Sequence, residues 1–268
     1  MRAVGVHADV VVVTSAIWQT TATLVRAGDE AFLIDSPVLP DELDALPALC
    51  EQAGFAVAGL LATHADWDHL LGRYPFPAAA LGVGETTAAR LAAEPGAAQR
   101  ELREFDEDYL IPRPGPLSLG DVQTLPVPGR CSLGERELEL HAADGHTGDG
   151  MAVWAPWARV LVVGDYLSPA AIPEFGEGGA IDAYLATLAR LEPLVAQADV
   201  VVPGHGEPLD GPRATAILRE DAAYLEALRA DGPAAPLPLA RRTGGNRRIH
   251  AANLALLGEG TGAPGGAT

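Results

Sequence analysis

The chain contains no lysine and only two cysteines, and each shortage limits what the protein can be. All 18 basic residues are arginines, against 36 acidic residues, so the formal net charge at pH 7 is -18. A surface this acidic repels a phosphate backbone, which makes nucleic acid an unfavourable partner. Cys50 and Cys131 form neither a C-x-x-C pair nor a disulfide framework, so we expect two free thiols.

Long hydrophobic runs are also missing. No stretch approaches the roughly 20 apolar residues of a membrane span, and the apolar run near the N-terminus is too short for a signal peptide. We therefore expect a cytoplasmic protein that does not bind membranes. With 268 residues, of which 48% are hydrophobic, the chain can bury one sizeable core. We predict one domain over residues 1–257 and a disordered, glycine-rich tail over residues 258–268.

Apolar patterns predict strands in two groups, with helices between and after them. The strands are predicted at residues 10–13, 21–25, 31–34, 57–62 and 78–83, and then at 137–142, 151–154, 160–163 and 200–202. The helices are predicted at residues 41–53, at 86–108 with a break at Pro95-Gly96, at 181–196 and at 213–230, with a short one ending at 257. This order suits an αββα sandwich, although periodicity alone also allows a doubly wound sheet.

The segment THADWDHLLG, residues 63–72, concentrates potential metal ligands directly after a predicted buried strand. Its imidazoles and carboxylates belong to His64, Asp66, Asp68 and His69. Three further candidates follow predicted strands and have a glycine nearby, namely His146, Asp165 and His205. Imidazole and carboxylate donors without thiolate suit Zn, Fe or Mn. Seven such groups are enough for two metal ions ~3.5–4 Å apart.

A solvated turn can also contain HxDxDH by chance, since short motifs produce false positives. The ordered presence of the three later candidates makes a metal site the favoured interpretation. The other histidines are predicted to lie elsewhere. We expect His7 at the surface and His141 within a strand, and we expect His250 either at the surface or in a hydrogen bond near the site. Asp35 ends a strand and can orient a ligand histidine. Asp149 can form a hydrogen bond to a ligand or cap a turn, and the turn is the favoured interpretation.

The ordered segments HADWDH, GHTGD, GDY and PGHG resemble the motifs of the metallo-β-lactamase superfamily, over about residues 10–210. The resemblance implies an αββα sandwich of two mixed β-sheets flanked by helices. It also implies two divalent metal ions, with zinc the usual ion of the family and iron or manganese as alternatives. The implied ligands are His64, Asp66 and His146 for one ion and Asp68, His69 and His205 for the other, with Asp165 bridging both.

Asp66 departs from the family pattern, because most relatives have histidine at this position. The flavodiiron branch also has a carboxylate there, but it is a glutamate. The shorter aspartate reaches a metal only if the backbone lies closer, and its charge favours iron or manganese over zinc. Two outcomes are open: a complete binuclear site, which we favour, or one firmly bound metal at the second position.

The resemblance implies a metal-dependent hydrolase in which a metal-bridged hydroxide cleaves a small, neutral or weakly charged acyl substrate, such as a lactone, ester or thioester. The sequence has no G-x-S-x-G elbow that would offer a serine nucleophile. Asp68 is the candidate catalytic residue, and Trp67 and Tyr166 are candidates for contacts with the substrate. Two alternatives are a di-iron oxidoreductase or oxygenase of the same fold and a non-catalytic metal-binding protein. The sequence makes no prediction of oligomeric state.

Overall fold

The structure is a computed structural model that describes the backbone of residues 1–260. Its strands are β1 (Arg2–His7), β2 (Val10–Thr14), β3 (Thr21–Ala27), β4 (Glu30–Asp35), β5 (Val57–Leu61), β6 (Ala80–Gly84), β7 (Val122–Leu125), β8 (Gly129–Leu133), β9 (Arg136–Ala142), β10 (Met151–Ala155), β11 (Val160–Val162), β12 (Val200–Val202) and β13 (Leu209–Asp210). Its α-helices are α1 (Pro40–Ala53), α2 (Glu85–Ala93), α3 (Ala97–Tyr109), α4 (Ile181–Val195), α5 (Gly211–Asp231) and α6 (Gly244–Gly260).

The strands form two sheets, and each sheet mixes parallel with antiparallel pairs. The first has seven strands in the order β1-β2-β3-β4-β5-β6-β7, and the second has six in the order β13-β12-β11-β10-β9-β8. Strands β4 to β7 run parallel to one another, whereas β1 to β4 pair antiparallel. In the second sheet β11 and β12 are parallel and their neighbours are antiparallel. The predicted pair of mixed sheets is confirmed, and a single doubly wound sheet is excluded.

Three layers of apolar side chains hold the sheets and helices together. The layer between the sheets includes Val12, Val25, Ile34, Leu140, Val153 and Val162. On the outer face of the first sheet, Leu46 of α1 and Leu102 of α3 are buried. On the outer face of the second sheet, Leu188 of α4 and Ile217 of α5 are buried in the same way. Burial of this kind contributes about 1.5–3 kcal/mol per large side chain. The helices therefore cover the outer face of each sheet, which is the αββα order.

The predicted elements differ from the observed ones mainly at sheet edges. The sequence patterns do not predict β1, β8 or β13, because β1 is half-exposed, β8 alternates with exposed polar residues and β13 has two residues. Cys131 lies on β8, and both cysteines are free as expected. Helix α1 begins at Pro40, one residue before the predicted start, and ends at Ala53 as predicted, where Gly54 follows at φ 73°.

The last helix is longer than the sequence predicts. Helix α6 continues to Gly260 and so includes the first residues of the segment that we expect to be a disordered tail. The rest of that segment, residues 261–268, lies outside the described residues. Among the described residues, neither α6 nor any other helix combines the length and hydrophobicity needed to cross a bilayer.

Candidate metal centre

The seven predicted ligands lie in four loops, each of which follows a strand. The loop after β5 contributes four of them, and the loops after β9, β11 and β12 contribute one each. A short 3-10 helix, Trp67–His69, turns the side chains of Asp68 and His69 into the interior, where both are buried. The two sheets therefore bring these distant residues to one place.

The first group consists of His64, Asp66 and His146. Asp66 Oδ2 lies 3.5 Å from His64 Nε2 and 3.4 Å from His146 Nε2. One ligand atom from each residue lies within 4.8 Å of the other two. The shorter aspartate therefore reaches the position that a ligand would occupy, as the binuclear interpretation requires.

The second group consists of Asp68, His69 and His205. Asp68 Oδ2 lies 3.4 Å from His205 Nε2 and 3.7 Å from His69 Nε2. Asp165 lies between the two groups: its carboxylate oxygens are 3.2 Å from His69 Nε2, 3.2 Å from His205 Nε2 and 3.5 Å from His146 Nε2. This is the place that a bridging carboxylate would take.

Several of these atoms are buried without a hydrogen-bond partner. Within the described residues this holds for Nε2 of His64, His69 and His146 and for Oδ1 of Asp165. A buried polar atom left unpaired costs about 1–3 kcal/mol, so four of them in one place favour the binding of a common partner. Divalent cations satisfy imidazole nitrogens and carboxylate oxygens together. The residues present fit such ions.

The charge of the site also favours cations. Burial alone would lower the pKa of His146 and of His205. At His146 the hydrogen bond to Asp66 and the charges of Asp165 and Asp66 together outweigh burial, and at His205 the contacts with Asp165 and Asp68 do so. The pKa of each histidine is thereby raised to about 9. The carboxylates thus attract positive charge into the centre. Metal ions and protons compete for these sites.

Each of the four histidines has its Nδ1 next to a fixed oxygen, which leaves Nε2 directed at the centre. These oxygens are Thr63 Oγ1 for His64 (3.0 Å), Asp35 Oδ2 for His69 (3.1 Å), the Glu174 carbonyl for His146 (2.7 Å) and the Trp18 carbonyl for His205 (3.1 Å). Partners of this kind fix the orientation and the tautomer of a ligand imidazole.

Asp35 holds two parts of the centre at once. Its carboxylate accepts hydrogen bonds from the Thr63 amide (2.8 Å) and the Thr63 hydroxyl (2.9 Å), and it also faces His69. Asp35 ends β4 in the left-handed region, with φ 58°, which is uncommon for a residue other than glycine. The geometry agrees with the prediction that Asp35 orients a histidine.

A cavity of about 640 Å³ opens onto both groups. Its apolar wall comes from the loop after β11, from the loop before β3 and from α6, and includes Trp18, Ile172, Pro173, Phe175, Ile249 and Ala252. Arg248 of α6 also lines the cavity. A space of this size suits a small molecule.

Neither Trp67 nor Tyr166, the two residues predicted to contact the substrate, lines this cavity. Trp67 is 8% exposed and packs against Trp18 and Phe105, with ring centroids 5.6 and 4.7 Å away. The Tyr166 hydroxyl is buried and accepts a hydrogen bond from the His146 amide. Trp18 takes the place at the cavity instead.

The other histidines lie away from the two groups. His141 is half-buried on β9, next to Glu139, and His7 is beside Asp9 near the surface. His250 Nδ1 lies 2.9 Å from the hydroxyl of Tyr224. None of these three lines the cavity.

Sequence reasoning missed Arg90, whose guanidinium contacts both Asp66 and Asp149. It also missed the contacts of Asp149, whose side chain accepts hydrogen bonds from the Ala65 amide in the loop after β5 and from Arg90. An arginine within a helical pattern gives no signal of such a contact, since most lie on a solvated face.

Comparisons with known proteins give a family and a fold. The model of the metallo-beta-lactamase superfamily matches residues 16–205. A metallo-beta-lactamase family protein from Thermus thermophilus is 22% identical, covers 96% of each chain and superposes with a TM-score of 0.66. A metallo-beta-lactamase from Pontibacter korlensis is 18% identical over 81% of this chain and 98% of its own, with a TM-score of 0.59. A sec-alkylsulfatase from Pseudomonas sp. is 16% identical over 85% of this chain and 42% of its own, with a TM-score of 0.70.

Proposed function

The chain belongs to the metallo-beta-lactamase superfamily, and we propose that it is a metal-dependent hydrolase of a small acyl substrate, a lactone, an ester or a thioester. The superfamily includes hydrolases, among them lactamases and sulfatases. One observation carries the proposal: unpaired imidazole nitrogens and a carboxylate oxygen converge next to a cavity large enough for a small molecule, and His146 and Asp165 line that cavity. The fold by itself does not select a substrate.

The chain's own residues would divide the work as follows. His64, Asp66 and His146 would hold one ion, Asp68, His69 and His205 a second, and Asp165 would contact both. When bound, the ions would supply a water ionised at neutral pH and an electrophile for the carbonyl oxygen. Asp68 lines the cavity and can accept a proton from an attacking water.

The cavity supports an acyl substrate with an apolar group. Its wall offers Ile172, Phe175 and Ile249 to an alkyl or aryl chain. Arg248 is exposed at the same wall and is placed to attract a single anionic group, such as a carboxylate. A highly charged substrate would meet the repulsion of an acidic protein surface.

The test begins with the metal content of the purified protein, measured by mass spectrometry. We expect about two divalent ions per chain, followed by hydrolysis of at least one member of a panel of lactones, esters, thioesters, β-lactams and sulfate esters. Asp165→Ala should lose metal and activity, whereas His141→Ala, a histidine outside the centre, should keep both.

Two other outcomes would contradict the proposal. Stoichiometric iron with oxygen consumption would indicate the di-iron oxidoreductase or oxygenase. Full metal occupancy without turnover of any substrate in the panel would indicate a non-catalytic metal-binding protein. If only β-lactams or sulfate esters are hydrolysed, the proposal of a hydrolase stands, but the proposed substrate class is wrong.

A further inference from the structure

Arg90 of α2 contacts the ligand candidate that departs from the family pattern. Its Nη1 lies 2.8 Å from Asp66 Oδ1 and 2.9 Å from Asp149 Oδ1. The other oxygen of Asp66, Oδ2, is the one that faces His64 and His146. The two oxygens of Asp66 therefore have different partners: one faces the guanidinium and the other faces the first group.

Asp149 holds Arg90 in this position. Its side chain is 2% exposed, and its second oxygen accepts a hydrogen bond from the Ala65 amide at 3.0 Å. Asp149 thus ties the arginine to the backbone next to Asp66. A cation bound to a buried carboxylate is held more firmly than an exposed ion pair, since solvent screens it less.

The contact changes what an aspartate can do as a ligand. A free carboxylate brings one negative charge and two donor oxygens, which suit harder ions such as manganese. Here the guanidinium, which Asp66 shares with Asp149, offsets part of that charge and engages one oxygen. The oxygen that is left resembles an imidazole in offering a single donor atom.

We propose that Arg90 is a positioning residue that makes Asp66 a one-oxygen, partly charge-compensated ligand, and that it thereby raises the selectivity of the first group for zinc over manganese. Asp66 without this contact would shift the preference of the group toward manganese. The inference rests on the metal-binding part of the proposed function and not on its reaction. The test of the inference measures metal content. The inference can therefore fail while the proposed hydrolase activity is confirmed, and it can be confirmed even if no substrate is found.

The experiment measures competition between two ions at each group. The stripped full-length protein is equilibrated with zinc and increasing manganese in a metal buffer, and both bound metals are counted by mass spectrometry. The measured quantity is the ratio of added manganese to zinc at which manganese replaces one equivalent of bound zinc. For the equivalent at the first group, this ratio should be about tenfold lower, or lower still, in Arg90→Met than in the wild type. The other equivalent, at the second group, should be replaced at the wild-type ratio and serves as an internal reference.

Matched variants separate selectivity from a loss of structure. Arg113→Met removes another buried arginine that is paired with an aspartate, Asp106, and should leave both ratios unchanged. Arg90→Lys keeps the charge and should stay within a few fold of wild type. Arg90→Met could fail to fold because it leaves the negative charge of Asp149 without a cation. In that case the measurement is repeated on the double variant Arg90→Met with Asp149→Asn, which removes the negative charge as well.

A histidine at position 66 gives an independent test. In Asp66→His, the guanidinium of Arg90 faces a neutral imidazole instead of a carboxylate, and its positive charge repels the metal ion bound to that imidazole. Zinc should therefore bind to the first group at least tenfold more weakly than in the wild type. Adding Arg90→Met should restore that affinity and the wild-type ratio. The proposal is overturned if Arg90→Met weakens both metals equally, or if the two substitutions act additively.

Discussion

Asn246 and Asn253 lie seven residues apart on α6, and each binds the backbone of the loop 170–175 with both atoms of its side-chain amide. Asn246 forms hydrogen bonds of 3.0 and 3.3 Å, and Asn253 forms bonds of 2.8 and 3.1 Å. Seven residues make about two turns of an α-helix, so both amides point from one face. Through them α6 fixes the loop that forms much of the cavity wall.

Replacing Asn253 by alanine should loosen this wall. The change removes three buried hydrogen bonds, two to the loop and one to the Tyr224 hydroxyl, and leaves the backbone amide of Phe175 unpaired, which we expect to lower the free energy of unfolding by about 2–3 kcal/mol. Denaturant unfolding measures the loss, and KM for the best substrate should rise. Gln197→Ala removes an exposed amide with one hydrogen bond and should change stability by less than about 0.5 kcal/mol. Equal effects in both variants would contradict this role.

The position of the Asp165 carboxylate leaves no room for a side chain at position 204, so this residue must be glycine. A Cβ at position 204 would overlap Asp165 Oδ1 and approach the carbonyl carbon of Gly164 to 2.9 Å. We expect Gly204→Ala to displace the carboxylate and to lower metal content and activity at least about tenfold, as changes around ligands commonly do. Gly5→Ala, where a Cβ meets nothing within 4 Å, is the control. A Gly204→Ala protein with full metal content would refute the steric argument.

Glu42 should make stability depend on pH at the acid end. Burial opposes its ionisation, but hydrogen bonds from Ser15, Ala16 and Leu39, together with the N-terminal ammonium at 3.1 Å, outweigh burial and lower the pKa of the carboxyl group below its ordinary value. A lowered pKa stabilises the folded state above the unfolded-state pKa, near 4.5, and this contribution is lost as the pH falls through the folded-state value.

Glu42→Gln should therefore lower the free energy of unfolding by about 2 kcal/mol at pH 7. The difference from wild type should shrink below about pH 4. Urea unfolding at several pH values measures both. Glu51→Gln, on an exposed face of the same helix, should show neither effect. A constant difference at all pH values would mean that Glu42 acts through packing and not through its charge.

Removal of metal should destabilise the protein. A ligand present at about 100 times its Kd stabilises the folded state by about 2.7 kcal/mol, which corresponds to roughly 5–10 °C in Tm for a chain of this size. We expect a chelator to lower Tm by this amount and added metal to restore it, as followed by calorimetry. Asp165→Ala should not respond to the chelator. A wild-type Tm that is unchanged after complete removal of metal would contradict the predicted coupling.

The candidate ligands could be predicted because their signals are local. His64, Asp66, Asp68 and His69 lie within six positions after a strand, and strand ends tend to build sites in this class of fold. The inner strands were recognised for a similar reason, since each is a short apolar run. The half-exposed edge strand β1 lacks such a pattern and was missed.

The supporting contacts could not be predicted, because their partners are far apart in sequence. Asp149 meets the Ala65 amide 84 residues away, and Arg90 meets Asp66 at a separation of 24. Trp67 shows a different limit. Its neighbours on both sides belong to the two groups, but the 3-10 turn directs the indole away from them and onto Phe105.

The origin of the ligands has a consequence for synthesis of the protein. Each group combines side chains from residues 64–69 with one side chain from a loop that follows a strand of the second sheet, His146 or His205. During translation, the early segment therefore emerges well before the residues that complete its coordination. A nascent chain can offer a cation only partial coordination, so selection between competing ions falls to the finished fold.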